Sequence, residues 1–253
     1  AKLNCDFYFL NVFSFEKYTT NSLNIPEEGS AAYEQAKEDS EKNFVKLLDT
    51  LALHPENLKH NYYTESTSNY LSEAIKKLIA EKDIDLVAMG TKGATGSKDV
   101  LFASNTVMAM EKIRECPVLA IPEHVSFMSP KEIVFPTDYK DVYKRSEFRY
   151  LIELAKMHNA EIAILHLEKN KELTEAQLSN KHLLSSILSE TAHQFHTLTE
   201  KNLGKGIQTF IESRESDMVS FINRKHFFFG NVFSRPLIKE IGYDSDVPIL
   251  ALH

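Results

Sequence analysis

The stretch Asp85–Pro122, DLVAMGTKGATGSKDVLFASNTVMAMEKIRECPVLAIP, constrains this chain more than any other. It reads as an apolar strand, a glycine-bearing loop, a helix opening at Ser104-Asn105-Thr106, and a second apolar strand. Two short β-rich runs separated by a helical segment make a βαβ unit, and the length of the crossover demands parallel strands. The loop spacing is Gly90-x2-Gly93, then Ala103-Ser104 at the helix start. Flexible backbone and a hydroxyl at a helix N-terminus are the materials of a phosphate cradle. The plainer reading is a glycine turn kept for tight strand-to-helix packing.

A degraded copy of this stretch closes the chain. Asp85-Leu-Val-Ala-Met-Gly90 parallels Asp217-Met-Val-Ser-Phe-Ile222, and Cys116-Pro-Val-Leu-Ala-Ile121 parallels Val247-Pro-Ile-Leu-Ala-Leu252. Ala1-Lys2-Leu3 with Phe7–Phe13 parallels Ala155-Lys156-Met157 with Ile162–Leu167. Repetition at this scale points to two divergent copies of one unit. The expected domains are residues 1–124 and 131–253, joined through the short linker His124–Pro130.

Helical spacing predicts helices over Ala31–Leu53 (Phe44, Leu47, Leu48, Leu51 inward) and Tyr70–Lys82 (Leu71, Ile75, Leu78, Ile79 inward). Another covers Tyr143–His158, with Phe148, Leu151, Ile152 and Ala155 on one face. A further helix is expected within Glu172–Asn202, carrying Leu184, Ile187, Leu188, Phe195 and Leu198. Strands are expected at Glu132–Pro136 and Ala160–Leu167, and the unalternating runs Ile84–Met89 and Pro117–Ile121 suit central strands buried on both faces. The pair Tyr62-Tyr63 reads as strand packing. Strands alternating with helices give an α/β fold: two similar open parallel-sheet domains. Aligning the copies leaves two gaps. No strand and helix precede Ala1 to match Glu132–Leu154, and Phe210–Arg214 runs into Asp217 where the first copy has the helix Tyr70–Lys82. Either the second copy is rebuilt there or residues are absent from the sequence as given, and the second explanation is the one adopted, because each gap removes a whole element.

Composition sets the outer bounds. The 253 residues are 43% hydrophobic and 26% charged, an ordinary globular balance. A net charge of -7 argues against nonspecific nucleic-acid binding, which needs a basic surface. No apolar run approaches the roughly 20 residues of a bilayer span. Asp6 interrupts the apolar run Ala1–Phe13, so no signal peptide is read there. Two cysteines, Cys5 and Cys116, in or beside strand patterns suit reduced thiols and a cytoplasmic location rather than a disulfide framework. Cys116 reads as an inert core thiol.

The strand, Gly-x2-Gly loop, Ser-bearing helix start and Cys-Pro-Val strand together resemble the universal stress protein family, and the copy-on-copy layout resembles its tandem members. The resemblance implies a Rossmann-like, adenine nucleotide alpha hydrolase-like sheet with nucleotide at the carboxyl ends of the strands. It also implies pairing of the copies through their last strands, Pro117–Ile121 and Pro248–Leu252, as an intramolecular pseudo-dimer, and leaves homo-oligomers open. Matched position by position, Met89, Gly90, Lys92 and Gly93 fall on the loop around ribose and phosphates. Ser104 and Asn105 fall on the helix start that meets phosphate, and Asn11 and Val12 end the strand flanking adenine. Asp138, in Pro136-Thr137-Asp138, matches the acid that contacts the base, although its bottom-up reading is a turn residue. Ala103 stands where the family has its third glycine. The second copy departs further: Ile222-Asn-Arg-Lys225 replaces Gly-x2-Gly, His226–Phe229 adds bulk, and Ser234-Arg235-Pro236 replaces Gly-Ser-x.

The implied ligand is ATP or a related adenine nucleotide, with Mg²⁺ as an accessory. No nucleophile–base pair emerges from the spacing, so catalytic residues are not assigned and at most a weak, metal-assisted ATPase is expected. Glu190, His193, His196 and Glu200, placed on one side of a helix, have the residue types for zinc, but a solvated polar face explains them more simply. The leading expectation is a regulatory nucleotide-binding module of stress response, with one site in the first copy and a degenerate second copy. The alternative is a protein-interaction scaffold of the same fold. A nucleotidyl-transfer enzyme would need a Ser-Gly-Gly-x-Asp-Ser segment, which this sequence lacks.

Overall fold

The computed structural model describes residues 3–13, 28–53, 60–68, 70–91, 104–168, 172–200, 202–223 and 247–253. The chain divides into two compact units, Ala1–Leu78 and Ile79–His253.

In the first unit, β1 (Cys5–Val12) pairs in parallel with β2 (His60–Thr67), Cys5 opposite His60 and Val12 opposite Thr67. Aromatic residues pair across this ladder, as cross-strand neighbours do on a pleated surface: Tyr8 stacks on Tyr63 at 4.7 Å between ring centroids and Phe7 on Tyr62 at 5.6 Å. Helix α1 (Ala31–Ala52) starts at Ser30, whose hydroxyl accepts from the Tyr33 amide. It buries Ala36 and Ser40, with Phe44, Leu48 and Leu51 half-buried. Leu47, expected inside, is exposed, because the buried stripe follows positions 36, 40, 44 and 48. Helix α2 (Leu71–Lys82) buries Ser72, Ala74, Ile75 and Leu78 and leads into the second unit.

The second unit contains a seven-stranded sheet. Its strands are β3 (Val87–Gly90), β4 (Val118–Ile121), β5 (Glu132–Thr137), β6 (Glu161–Glu168), β7 (His193–Thr199), β8 (Met218–Ile222) and β9 (Ile249–Leu252), in the order β3-β4-β9-β8-β5-β6-β7. Every pairing is parallel except β4 with β9, where Val118, Leu119 and Ala120 lie opposite Ala251, Leu250 and Ile249. The two last strands therefore join the copies, as expected, and carry the end of the first copy into the second compact unit. A boundary between sequence repeats and a boundary between compact units are different things here. Helix α3 (Ser104–Lys112) connects β3 to β4. A 3-10 turn (Arg145–Phe148) leads into α4 (Arg149–His158), which buries Leu151, Ile152 and Ala155 and ends on Asn159 in the left-handed region. Around β5 and β6, Ile133, Phe135, Phe148, Leu151, Ile162, Ile164, Leu184 and Leu188 form the core.

Three expectations need correction. The segment Glu172–Asn202 is not one helix: α5 (Glu175–Ile187) ends there and β7 follows, paired with β6 from His193 to Thr199. Phe195 and Leu198 are three residues apart and mimic helical spacing, but they lie on an outer strand that is only half-buried. Thr191 Oγ1 donates to the Leu188 carbonyl and closes the intervening turn. Second, no helix is missing before Asp217. With β7 recognised, α6 (Leu203–Arg214), capped by Asn202 accepting from the Lys205 amide, is the crossover into β8. Third, β3 is not buried on both faces: it ends the strand order, and its residues alternate between half-buried and exposed.

Candidate functional site

Parallel strands place loops and helix starts at their carboxyl ends, and the first-copy site is built there. β3 ends at Gly90-Thr91, where the Thr91 amide donates to the Ile121 carbonyl at 3.0 Å and continues the β4 ladder. Helix α3 opens at Ser104, and two residues in, Thr106 Oγ1 donates to the Gly90 carbonyl at 2.8 Å. Thr91 and Thr106 are 6% and 1% exposed, so this tie is internal. It pins the helix start to the strand end. Asn105, in the first turn, is exposed. A β-carbon built at Gly90 would meet no atom within 4 Å. An open glycine beside an exposed helix N-terminus, where the backbone dipoles are positive, fits a phosphate group. Met89 is half-buried beside it. Lys92, Gly93 and Ala103 lie outside the described residues, as do His226–Phe229 and Ser234–Pro236.

Asn11 and Val12 end β1 in the first unit. The Asn11 amide donates to Ser40 Oγ at 2.7 Å, and Ser40 Oγ shares a hydrogen bond with Ser66 Oγ at 2.6 Å. This polar chain ties β1, α1 and β2 together, so the Asn11 side chain has an internal partner. Asp138 follows β5 in the second unit. Its carboxylate accepts from the Lys140 amide at 3.0 Å and pairs with Lys140 Nζ at 3.0 Å, the turn role read from sequence. It is not brought to the first-copy loop: β3 and β5 are four strands apart in the order, about 19 Å at ordinary strand spacing. They also run in opposite directions across the β4–β9 junction, so the carboxyl ends of the two copies sit at opposite ends of the sheet.

The second copy uses its corresponding position differently. Asn223, the counterpart of Thr91, donates its backbone N–H to the Leu252 carbonyl at 2.8 Å. Its side-chain amide donates to the Met110 carbonyl of α3, and its own carbonyl accepts from Arg114 Nη1. Arg114 also lies 3.3 Å from His253 Nδ1. Burial, reinforced by the Arg114 charge, pushes the His253 imidazole down to about 4. Nothing in the sequence pattern distinguishes Arg114 or Asn223, since their meeting depends on strand order.

Among the described residues no group of three or more His, Cys, Asp and Glu is placed to hold a metal. Glu190 instead pairs with Arg145 and Lys156, and His193 Nε2 lies 3.1 Å from Ser185 Oγ. Burial raises the Cys116 thiol to about 11, which keeps it protonated and unreactive. No helix among the described residues is long and apolar enough to cross a membrane.

The site is thus that of an α/β protein whose open sheet presents a glycine-ended strand and a helix start at a carboxyl edge, where such sheets hold ligands. Residues 1–122 match the model of the Universal stress protein family. No curated protein matches the chain. Among solved structures, it is similar to a universal stress protein from Archaeoglobus fulgidus DSM 4304, at 13% identity over 97% of this chain and 85% of that one, with a TM-score of 0.65. A functionally unknown protein from Pseudomonas aeruginosa PAO1 is similar at 11% identity over 99% of this chain and 92% of its own, with a TM-score of 0.60. Both likenesses span the two halves of the chain and share its α/β fold.

Proposed function

We propose that this chain is a regulatory nucleotide-binding module of the universal stress protein kind, with one site for ATP or a related adenine nucleotide in the first copy. The observation that carries the reading is the Thr106–Gly90 tie. It fixes an exposed helix start beside an open glycine, within the residues that match the family model. Phosphates would be held by the α3 N-terminus at Ser104 and Asn105 and by the loop backbone beyond Gly90, and Mg²⁺ would neutralise their charge. The second copy serves as a built-in pairing partner, since its matching position, Asn223, is committed to α3 and Arg114. A cytoplasmic location belongs to the same proposal.

Calorimetric titration of ATP, ADP and AMP, with and without Mg²⁺, tests this on the full chain and on Gly93→Val. Saturable heat that Gly93→Val abolishes is the expected result. Absence of heat from folded protein refutes nucleotide binding and leaves the scaffold reading. One observation already favours that second reading: the Asn11 amide at the base-flanking strand end is engaged by Ser40.

A further inference from the structure

The spacing of serines and histidines along the chain offers no nucleophile–base pair, yet the fold makes one across the turn between α5 and β7. Ser185, in the last turn of α5, and His193, the first residue of β7, meet with Oγ 3.1 Å from Nε2. The other ring nitrogen, Nδ1, lies 3.0 Å from the Thr191 carbonyl. A carbonyl only accepts, so this contact puts the ring proton on Nδ1 and leaves Nε2 bare. The Ser185 hydroxyl therefore donates to Nε2. A hydroxyl on a bare imidazole nitrogen, with the second nitrogen held by an acceptor, is an arrangement of nucleophile, base and orienting group.

The surroundings hold this geometry. Thr191, which orients the ring, is itself fixed, because its amide and hydroxyl donate to the Leu188 carbonyl at 2.9 and 2.8 Å. Phe195 meets the His193 ring edge to face at 5.9 Å between centroids. Lys181 Nζ in turn lies 4.9 Å from the Phe195 ring centre. Carboxylates on the neighbouring segments have other partners: Glu190 pairs with Arg145 and Lys156, and Glu161 accepts from Gln194. Ser185 and His193 are both half-buried, within reach of a small reagent. Helix α5 ends at Ile187, and its negative pole favours the imidazolium that forms when Nε2 takes a proton.

We propose that Ser185 is a nucleophile, with His193 as its base, that takes an acyl group from an activated ester. The Ser185 oxygen bonds to the acyl carbon, and the bond from that carbon to the ester oxygen breaks. The Ser185 proton passes to His193 Nε2 and from there to the departing alkoxide or aryloxide. The products are acylated Ser185, the alcohol or phenol, and neutral His193. General-base assistance accelerates the step about 10²-fold, which suits a single acylation of the chain rather than rapid turnover. β7 and β3 close opposite ends of the strand order, so this chemistry stands whether or not nucleotide binds at the first-copy loop.

The probes are p-nitrophenyl acetate and a rhodamine-tagged fluorophosphonate, each incubated with the full chain, and peptide mass spectrometry locates the adduct. The fluorophosphonate reads the same pair: the Ser185 oxygen bonds to phosphorus, the P–F bond breaks, and fluoride leaves as the proton moves to Nε2. Both probes should modify Ser185 ahead of every other serine. Ser185→Ala should lose this adduct, and His193→Gln should slow its formation about a hundredfold. The wild-type rate should rise with pH in one step as the ring loses its proton, and His193→Gln should lack that step. A hydroxyl kept only for packing would show neither effect. If Ser185→Ala unfolds, Ser185→Cys keeps the size of the side chain, and His193→Gln should likewise slow its alkylation by iodoacetamide. Labelling of Ser185 no faster than in the urea-unfolded chain, equal labelling in His193→Gln, or labelling spread evenly over other serines would overturn the proposal.

Discussion

Glu132→Gln tests how the second copy fastens its sheet at the amino end of β5. Glu132 accepts Arg214 Nε at 3.0 and 2.9 Å on its two oxygens, a further bond from Arg214 Nη2, and Ser216 Oγ at 2.6 Å. Burial by itself would raise this carboxyl. The hydrogen bonds from Arg214 and Ser216, with the Arg214 charge, outweigh it and hold the pKa below the ordinary 4.5. The side chains are 13% exposed for Glu132 and 36% for Arg214. Charge-assisted bonds of this kind contribute about 1.5–3 kcal/mol, and solvent screening of the half-open Arg214 reduces that to about 1–2 kcal/mol. Gln keeps the shape and one acceptor but loses the charge. At about 2–4 °C per kcal/mol for a domain of this size, Tm at pH 7 should fall by roughly 2–8 °C.

The sign with pH follows from linkage. A carboxyl with a depressed folded pKa contributes stability above its unfolded pKa and loses it as pH falls through the folded value. The gap between wild type and Glu132→Gln, read by circular dichroism melts, should be full at pH 7 and narrow steadily below about pH 4.5. A gap of the same size at pH 3 as at pH 7 would refute the electrostatic origin, and a gap of zero at pH 7 would refute the coupling itself.

The remaining predictions concern single groups. At pH 8 a thiol reagent should label Cys5, which is half-buried, and leave Cys116 untouched until unfolding, because burial raises Cys116 to about 11; labelling of both in native protein contradicts this. The His253 imidazole, lowered to about 4 beside Arg114, should show its proton NMR titration near that pH. The unfolded chain then binds this proton first, so stability should drop as pH falls from about 6.5 to 4, a loss that His253→Gln removes. A titration near 6.5 would show that Arg114 and burial do not act on the ring.

Much of this architecture was legible because local chemistry and global fold agree. The repeat Asp85–Ile121 against Asp217–Leu252 located β3, β4, β8 and β9, and the ladder between the last strands joins the segments the repeat singled out. The periodicity of Phe148, Leu151, Ile152 and Ala155 survives as the buried face of α4 and the turn before it. The failures share one cause. Phe195 and Leu198 carry helical spacing, yet pairing with β6 makes them strand, and without β7 the stretch before Asp217 looks short of a helix. Periodicity is a local signal, and an outer strand is decided by its neighbour. Site residues were legible as types but not as partners: the spacing offered Asn11 to a ligand, while the fold gives its amide to Ser40.

By itself the sequence determined the repeated unit, the parallel strands demanded by each crossover, and the glycine loop between β3 and α3, all of which depend on residues close in the chain. Tertiary structure alone decided that β4 meets β9 antiparallel, which sends the carboxyl ends of the strands in the two copies to opposite ends of one sheet. It also decided that Thr106 ties α3 to Gly90 and that Arg114 and Asn223 meet 109 residues apart. Each of these is a contact between distant segments, and its free energy comes from strand order and burial, which no local pattern encodes.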